Sequence, residues 1–400
     1  MKYLSAFLCG LVVTTFVNGA DWPQWRGPNR DGISTEMNWS SQWPATGPKQ
    51  LWKANVGLGC SAITVSQGRA YTLGNTDETD TVYCFDAATG VIRWKHSYPC
   101  PLAPKYWDGG TLGTPTVDGD RVYTLSKVGD LFCLQADTGK VLWQKQLVND
   151  LGGKMPTWGF AGSAFVLDKW LLLEVGAPDG AFMALDKLTG TVAWKNGNDP
   201  VGYSTPTLFA FQGKQCLAVF NGFGLVVHEL NDGKEIARSA WKTKYEVNAA
   251  VPIVVDDQIF ISSGYGSGCA LLQLKPGSLT TLWQNKAMRN HFASCVLWQN
   301  HLYGFDESTL TCLEFATGTV KWTDPSLGKG ALMLADSKLI IQSEKGDLVV
   351  AAAEPSAYKE LARAKVLSGK CWVVPVLANS RLYVRNNSGD LICLDLTTSK

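Results

Sequence analysis

"DKLTGTVAWK" (residues 186–195) reads as a β-hairpin: an acidic residue, a Thr-Gly turn, then an apolar strand closed by tryptophan. The pattern returns at 86–95 ("DAATGVIRWK"), 135–144 ("QADTGKVLWQ") and 314–323 ("EFATGTVKWT"). In three of the four, Asp or Glu stands four positions before the glycine, where it can accept the turn's amide hydrogens. Glycine supplies the positive φ that such a turn needs. A large ring at Gly+4 falls on the departing strand, where it can wedge against a neighbouring sheet. One hairpin says little, but a hairpin written repeatedly dictates a repeated architecture.

A second marker fixes the interval. Short apolar strands follow a polar turn at "GRAYTL", "DRVYTL", "KWLLL", "KQCLAVF", "QIFIS", "HLYGF", "KLIIQ" and "RLYVR", aligned on Tyr71, Tyr123, Leu171, Leu217, Phe260, Tyr303, Ile340 and Tyr383. These eight positions lie 37 to 52 residues apart, the spacing of β-propeller blades. Each unit reads as four strands, for example "TPTVD", "RVYTLS", "DLFCLQ" and "KVLWQK". Runs such as "LLLEV" are apolar almost without alternation, as expected of a strand covered on both faces. The expected fold is an all-β, eight-bladed propeller of four-stranded antiparallel blades over residues 51–400. "CLDLTTSK" ends without a fourth strand, whereas "QLWKANVG" near the start carries Trp52-Lys53, matching Trp94-Lys95. The N-terminal strand is therefore expected to complete the last blade and close the ring, which removes open sheet edges. Repeat 7, "AAAEPSAYKELARAKV", lacks both the Thr-Gly turn and the tryptophan.

Residues 1–20 are of a different character. One Lys, an apolar run from Leu4 to Val17 and small residues before Asp21 read as a secretory signal, too short for a membrane anchor. Residues 21–50 form a leader before the first blade. The expectation is an exported protein, periplasmic or extracellular, with no transmembrane span. Thirty-six basic residues against 35 acidic leave no basic field for nucleic acid. Export raises the question of disulfides. Cys84, Cys133, Cys312 and Cys393 share one repeat slot, which Ala184 fills elsewhere, so they are expected to be buried free thiols serving as small apolar side chains. The state of Cys60, Cys100, Cys216, Cys269, Cys295 and Cys371 stays open. No Cys/His spacing suits a structural metal, and "GYGSG" (264–268) reads as a turn between second and third strands rather than a phosphate loop.

The D-x-x-T-G-x-x-x-W turn resembles the pyrroloquinoline-quinone-like propeller repeat family, which includes quinoprotein alcohol dehydrogenases and BamB of the outer-membrane assembly machinery. "DWPQWRGPNRDGIS" (21–34) is similar to the leader of exported members, and "PTWGFAGSAFV" and "KCWVVPVLANSRLYVRNNSGDLICLDL" to their blade openings. The resemblance implies either a non-catalytic binding or assembly propeller without cofactor, or a quinone- and calcium-dependent alcohol or sugar dehydrogenase. The dehydrogenases carry adjacent cysteines and a calcium set of Glu, Asn and Asp. Here no two cysteines adjoin, and Glu246 and Asn248 lack a matching Asp motif. The favoured expectation is the binding propeller, with a protein or peptide partner in the cell envelope or a small anionic ligand.

The segment before each first strand should reach one mouth of the central channel. Those segments place Trp107, Trp158, Tyr203, Glu246, Asn248, Arg289, His291, Lys329, Lys370 and Trp372 around one face. Rings with a few charged and amide groups suit a concave recognition site. The expectation is that Arg289 and Lys370 supply charge and that Trp158 and Trp372 supply stacking surface. The structural alternative is that the aromatics cap blade ends and the charges are merely solvated.

Overall fold

The structure, a computed structural model, describes residues 20–44, 46–103 and 108–398. The expected signal segment falls outside the described residues except for Ala20. Thr64–Ser66, Arg69–Thr76, Thr79–Asp86 and Ile92–Pro99 make blade 1, each strand antiparallel to the next. Six more four-stranded units follow, their first strands starting at Thr116, Phe165, Thr207, Ile253, Val296 and Gly330. Blade 8 joins the two ends of the chain: Val376–Ala378, Arg381–Arg385 and Asp390–Asp395, then Gln50–Asn55 as the outermost strand. The ring is an eight-bladed propeller closed by the N-terminal strand, as its sequence requires. One short helix, Leu147–Leu151, and one 3-10 turn interrupt the strands among the described residues.

The Thr-Gly turns form as their chemistry dictates. Asp86 Oδ1 accepts the amides of Ala88 and Thr89 at 3.1 and 3.0 Å, and Gly90 takes a φ of 72°. A one-residue bulge interrupts the third-to-fourth strand pairing of every blade, and in the four Thr-Gly blades it sets the Gly+4 residue opposite the small slot of the third strand. Trp94 thus faces Cys84, Trp143 faces Cys133, Trp322 faces Cys312 and Trp52 faces Cys393. On the other side each of these cysteines faces a tyrosine: Tyr71, Tyr123, Tyr303 or Tyr383. A slot between two large rings has room only for a small side chain. All ten described cysteines are free thiols, and burial pushes those of Cys84 and Cys393 up to about 12.

The tryptophans couple the blades. Trp52 Nε1 donates to Ala87 O at 3.1 Å in blade 1, Trp94 to Ala136 O at 2.8 Å in blade 2, and Trp143 to Lys187 O at 3.1 Å in blade 3. The ring then lies on the next blade's turn glycine: a Cβ at Gly90 would come 2.6 Å from Trp52, and one at Gly139 would come 2.6 Å from Trp94. Trp283 repeats this on Gly318 and Phe315 O. Trp194 packs on Gly233, but its Nε1 finds no partner among the described residues. Ala237 and Ala362 hold the tryptophan's place in blades 4 and 7. At the second of these gaps, Trp39 and Trp43 of the leader join the apolar cluster that contains Ala362. The closing junction has a further tie. Arg385 in blade 8 is fully buried and donates to Ser61 O, Leu73 O and Gly57 O of blade 1 at 3.0, 2.6 and 3.0 Å.

The leader is more than a preamble: it closes one end of the channel. Trp22 pairs with Val65, Pro23 O accepts from Val117, and Ile33–Ser34 runs parallel to the first strand of blade 7. Arg30 donates to Val166 O at 2.6 Å with its guanidinium over the Phe165 ring, and Arg26 donates to Cys295 O at 2.8 Å. Asp21 and Glu36 accept amides of the first-to-second strand turns of blades 1 and 8. Those turns lie at the end away from the segments that open each blade.

Two outcomes test this packing. Trp52→Ala removes the closing ring and its hydrogen bond and should lower stability by about 3–5 kcal/mol, read from denaturant unfolding; an unchanged midpoint would show that closure does not depend on it. Glu174 in blade 3 accepts Gly202 N–H at 2.7 Å, while its buried Oε1 has no partner among the described residues. Burial raises its carboxyl to about 8, against the Gly202 bond and with help from Asp199. Below the unfolded-chain value both states hold the proton. Between about pH 4.5 and 8 the unfolded chain loses it first, so stability falls as pH rises through that window. Glu174→Gln should therefore raise the melting temperature relative to wild type at pH 8 and far less at pH 5; a gap that does not vary with pH would refute this.

Candidate functional site

With the leader across one end, the opposite mouth is a cup. A cavity of about 240 Å³ lies there, and Trp25 of the leader is part of its lining. Trp158, Tyr203, Phe292 and Trp372 reach it from segments that open blades 3, 4, 6 and 8, and Tyr265 from the turn between the second and third strands of blade 5. The rings support one another. Phe292 stacks on Trp372 at 4.7 Å and 24°, and Tyr265 stands edge-on to His291 at 4.7 Å and 80°. Trp158 meets Tyr245 edge-on, and its amide donates to the Tyr203 hydroxyl at 3.3 Å. Burial pushes that phenol up to about 12, so it stays neutral.

Hydroxyl groups form a belt below the rings. Thr114 Oγ1 accepts from Ala62 N–H at 3.1 Å, Ser163 Oγ from Thr114 N–H at 3.1 Å, and Thr205 Oγ1 from Ser163 N–H at 3.3 Å. Each oxygen ties one blade's opening to the next and keeps its own hydrogen to donate. His291 is neutral. Burial lowers its pKa, Lys329 lowers it further, and Glu307 opposes them. Lys329 Nζ lies 3.0 Å from Nδ1. Since lysine only donates, Nδ1 is the acceptor and Nε2 carries the hydrogen.

The structure divides the expected site residues. Trp158, Tyr203, His291 and Trp372 line the cavity together. Trp107 lies outside the described residues. Arg289, Lys329 and Lys370 do not line the cavity, and each meets an acid. Arg289 holds Asp306 in a two-point pair at 2.6 and 2.7 Å, Lys329 lies 3.4 Å from Glu307, and Lys370 lies 3.4 Å from Asp108. Lys370 also sits over the Trp372 ring at 4.8 Å. Glu246 is exposed and outside the lining. Asn248 is buried with its amide engaged: Nδ2 donates to Asn221 O at 2.7 Å and Oδ1 accepts from Ser263 at 2.7 Å. Its role here is to brace the blade 5 opening. Sequence reasoning missed Trp25, Tyr265 and Phe292. Phe292 adjoins His291 in "RNHFAS", but Trp25 sits in the leader and Tyr265 in a turn, so no blade-opening pattern could mark them.

A pyrroloquinoline quinone with calcium does not fit these residues. It is a planar tricarboxylate, and the described lining contains no Arg, Lys, Asp or Glu. Glu246 is turned out to solvent and Asn248 has its amide occupied. No group of three or more His, Cys, Asp or Glu side chains placed to hold a metal ion occurs among the described residues.

Residues 79–324 match the family described as outer membrane protein assembly factor BamB. Among solved structures, BamB from Moraxella catarrhalis is similar over 88% of this chain and 98% of its own, with a TM-score of 0.62 at 14% identity. The quinohemoprotein alcohol dehydrogenase from Comamonas testosteroni is similar over 95% of this chain and 81% of its own, with a TM-score of 0.64 at 12% identity. A computationally designed protein, Ika8, covers 87% of the chain at a TM-score of 0.61 and 14% identity. At such identities the likeness speaks for the fold alone. Among curated proteins none matches.

Cys60 lines the cavity and is the one described cysteine that is not buried. Burial around its thiol holds it up at about 11. In native protein at pH 8, a small thiol reagent should modify Cys60 alone of the described cysteines, on the order of a hundredfold more slowly than a free cysteine. Peptide mapping that finds Cys84 or Cys393 modified first would contradict this burial pattern.

Proposed function

This chain belongs to the pyrroloquinoline-quinone-like propeller family described as outer membrane protein assembly factor BamB, and on that premise we propose that it is a non-catalytic recognition propeller of the cell envelope. It receives its partner at the channel mouth. The observation that carries this reading is the aromatic cup, closed below by the leader and lined, among the described residues, by neutral side chains. Such a cavity can bind by ring contact and hydroxyl donation; in its described lining the imidazole of His291 has Nδ1 engaged by Lys329, and no paired acids or metal set stands beside it. The apolar segment from Leu4 to Val17 supports export, and among the described residues no helix is long and apolar enough to cross a membrane.

The test is affinity capture from envelope extract with wild type and with Trp158→Ala/Trp372→Ala, both confirmed as folded, beside the exposed control Leu188→Ala. Captured partners should fall at least tenfold with the double substitution and stay unchanged with the control. Equal recovery by all three would remove the mouth as the binding face. Saturable heat on titration with the quinone plus calcium, together with substrate-dependent dye reduction, would replace this reading with the dehydrogenase.

A further inference from the structure

The chemistry of the cup narrows what it can hold. Among the described residues six Trp, Tyr and Phe rings line it, Trp25, Trp158, Tyr203, Tyr265, Phe292 and Trp372, with the imidazole of His291 beside them. No cationic side chain faces it among the described residues, because Arg289, Lys329 and Lys370 lie outside the lining against Asp306, Glu307 and Asp108. An anion placed here would meet the negative faces of aromatic rings with no countercharge. The charge behind the rings points the same way. Glu344 accepts Trp372 Nε1–H at 2.9 Å and makes no ion pair among the described residues. Glu307 Oε1 accepts the Tyr265 amide at 3.1 Å, and its other oxygen lies 3.9 Å from His291. Lys370 over the Trp372 ring at 4.8 Å and Lys329 at 3.0 Å from His291 Nδ1 are offset by Asp108 and Glu307, which leaves Glu344 as the acid behind the rings with no cation paired to it among the described residues.

Size gives a second constraint. At about 240 Å³ the cavity is below the roughly 300 Å³ at which pockets for drug-sized molecules begin. A compact group fits within it. Hydrogen-bonding capacity gives a third. The described lining has no Asn, Gln, Asp or Glu to bind a sugar's hydroxyls in pairs, and its hydroxyl belt offers single donors from Thr114, Ser163 and Thr205. A primary ammonium would draw on three acceptors, and the belt oxygens, each already accepting an amide hydrogen, have one lone pair apiece left for it. A quaternary ammonium needs none and is held by ring faces.

We propose that the cup is an aromatic cage for a compact quaternary ammonium group, with the hydroxyl belt donating to an oxygen on the same ligand. The inference rests on the mouth being the recognition face and names the chemistry recognised there. The group can come as a free solute such as choline or glycine betaine, or as a phosphocholine lipid headgroup. Both present the same cation.

The experiment compares choline, glycine betaine, ethanolamine and 3,3-dimethylbutanol, the uncharged carbon analogue of choline, by calorimetry and tryptophan fluorescence. Sedimentation with phosphatidylcholine and phosphatidylglycerol vesicles forms the lipid arm. Choline or betaine should bind at least tenfold more tightly than both ethanolamine and dimethylbutanol. Binding should slow Cys60 modification. Trp158→Leu and Trp372→Leu keep the apolar volume but lose the π face and should each weaken binding about tenfold. Tyr265→Leu, on an exposed turn, offers a variant that does not disturb the core. Sedimentation with phosphatidylcholine alone would assign the headgroup as source, and binding of free solute alone would assign the solute. Dimethylbutanol binding as tightly as choline, or no binding in either arm, overturns the cage. If affinity capture still depends on Trp158 and Trp372 in that case, the recognition face stands and only its ligand chemistry is wrong. If capture is also indifferent, both fail.

Discussion

The ring depends on one contact repeated around it: the indole of one blade lying flat on the turn glycine of the next, with Nε1 donating to a carbonyl three residues before that glycine. The contact sets spacing and orientation together, since the ring fixes the approach and the hydrogen bond fixes the rotation. It also explains why glycine stands in the turn for two reasons. A side chain at Gly90 or Gly139 would be strained at positive φ and would strike the indole. Trp52 gives the contact its global consequence. It arrives on the N-terminal strand, so the last blade can dock on the first only after the chain's beginning has paired with its end.

Where the contact fails, other groups take over. Ala362 leaves the junction of blades 7 and 8 without an indole, and the leader brings Trp39 and Trp43 to the same cluster. The leader's other task is to shut the channel. It does so with guanidiniums aimed at backbone carbonyls: Arg26 to Cys295 O and Arg30 to Val166 O. Arg385 uses the same device at the closing junction. Burial pulls Arg30 and Arg385 down to about 10, which still leaves each charged at neutral pH and able to satisfy carbonyls that no strand can reach.

A channel closed at one end becomes a cup, and the balance of charges around its rim decides its chemistry. Three cations that looked free in the chain are matched by Asp306, Glu307 and Asp108, so the interior is left to aromatic faces and hydroxyl groups. The likeness to the quinohemoprotein, at 12% identity, is one of fold. Among the described residues the cup's lining has no Arg, Lys, Asp or Glu for a tricarboxylate and a divalent ion, and it is rich in aromatic rings.

The architecture was legible in the chain because it is written locally and repeatedly. An Asp-to-Gly turn, a bulge and an indole at Gly+4 are chemistry within ten residues, and their recurrence carried the blade count, the closing strand and the small-residue slot of Cys84 and Cys393. Trp158, Tyr203, His291 and Trp372 were legible at the mouth for the same reason, since blade openings converge wherever the repeat is known. The pairing of each rim cation with an acid was not, because Arg289 and Asp306 lie seventeen positions apart and Lys370 and Asp108 on opposite sides of the ring closure. Nor was Asn248, whose amide looked like a ligand until its partners Asn221 and Ser263 came into place. Trp25 is the furthest case: a residue before the first blade becomes part of the cavity only because the leader folds back beneath it. Sequence alone determined what each blade is, because a blade is built from near neighbours. Tertiary structure decided which charges remain free and what closes the channel, because both depend on groups that meet only when the ring is shut.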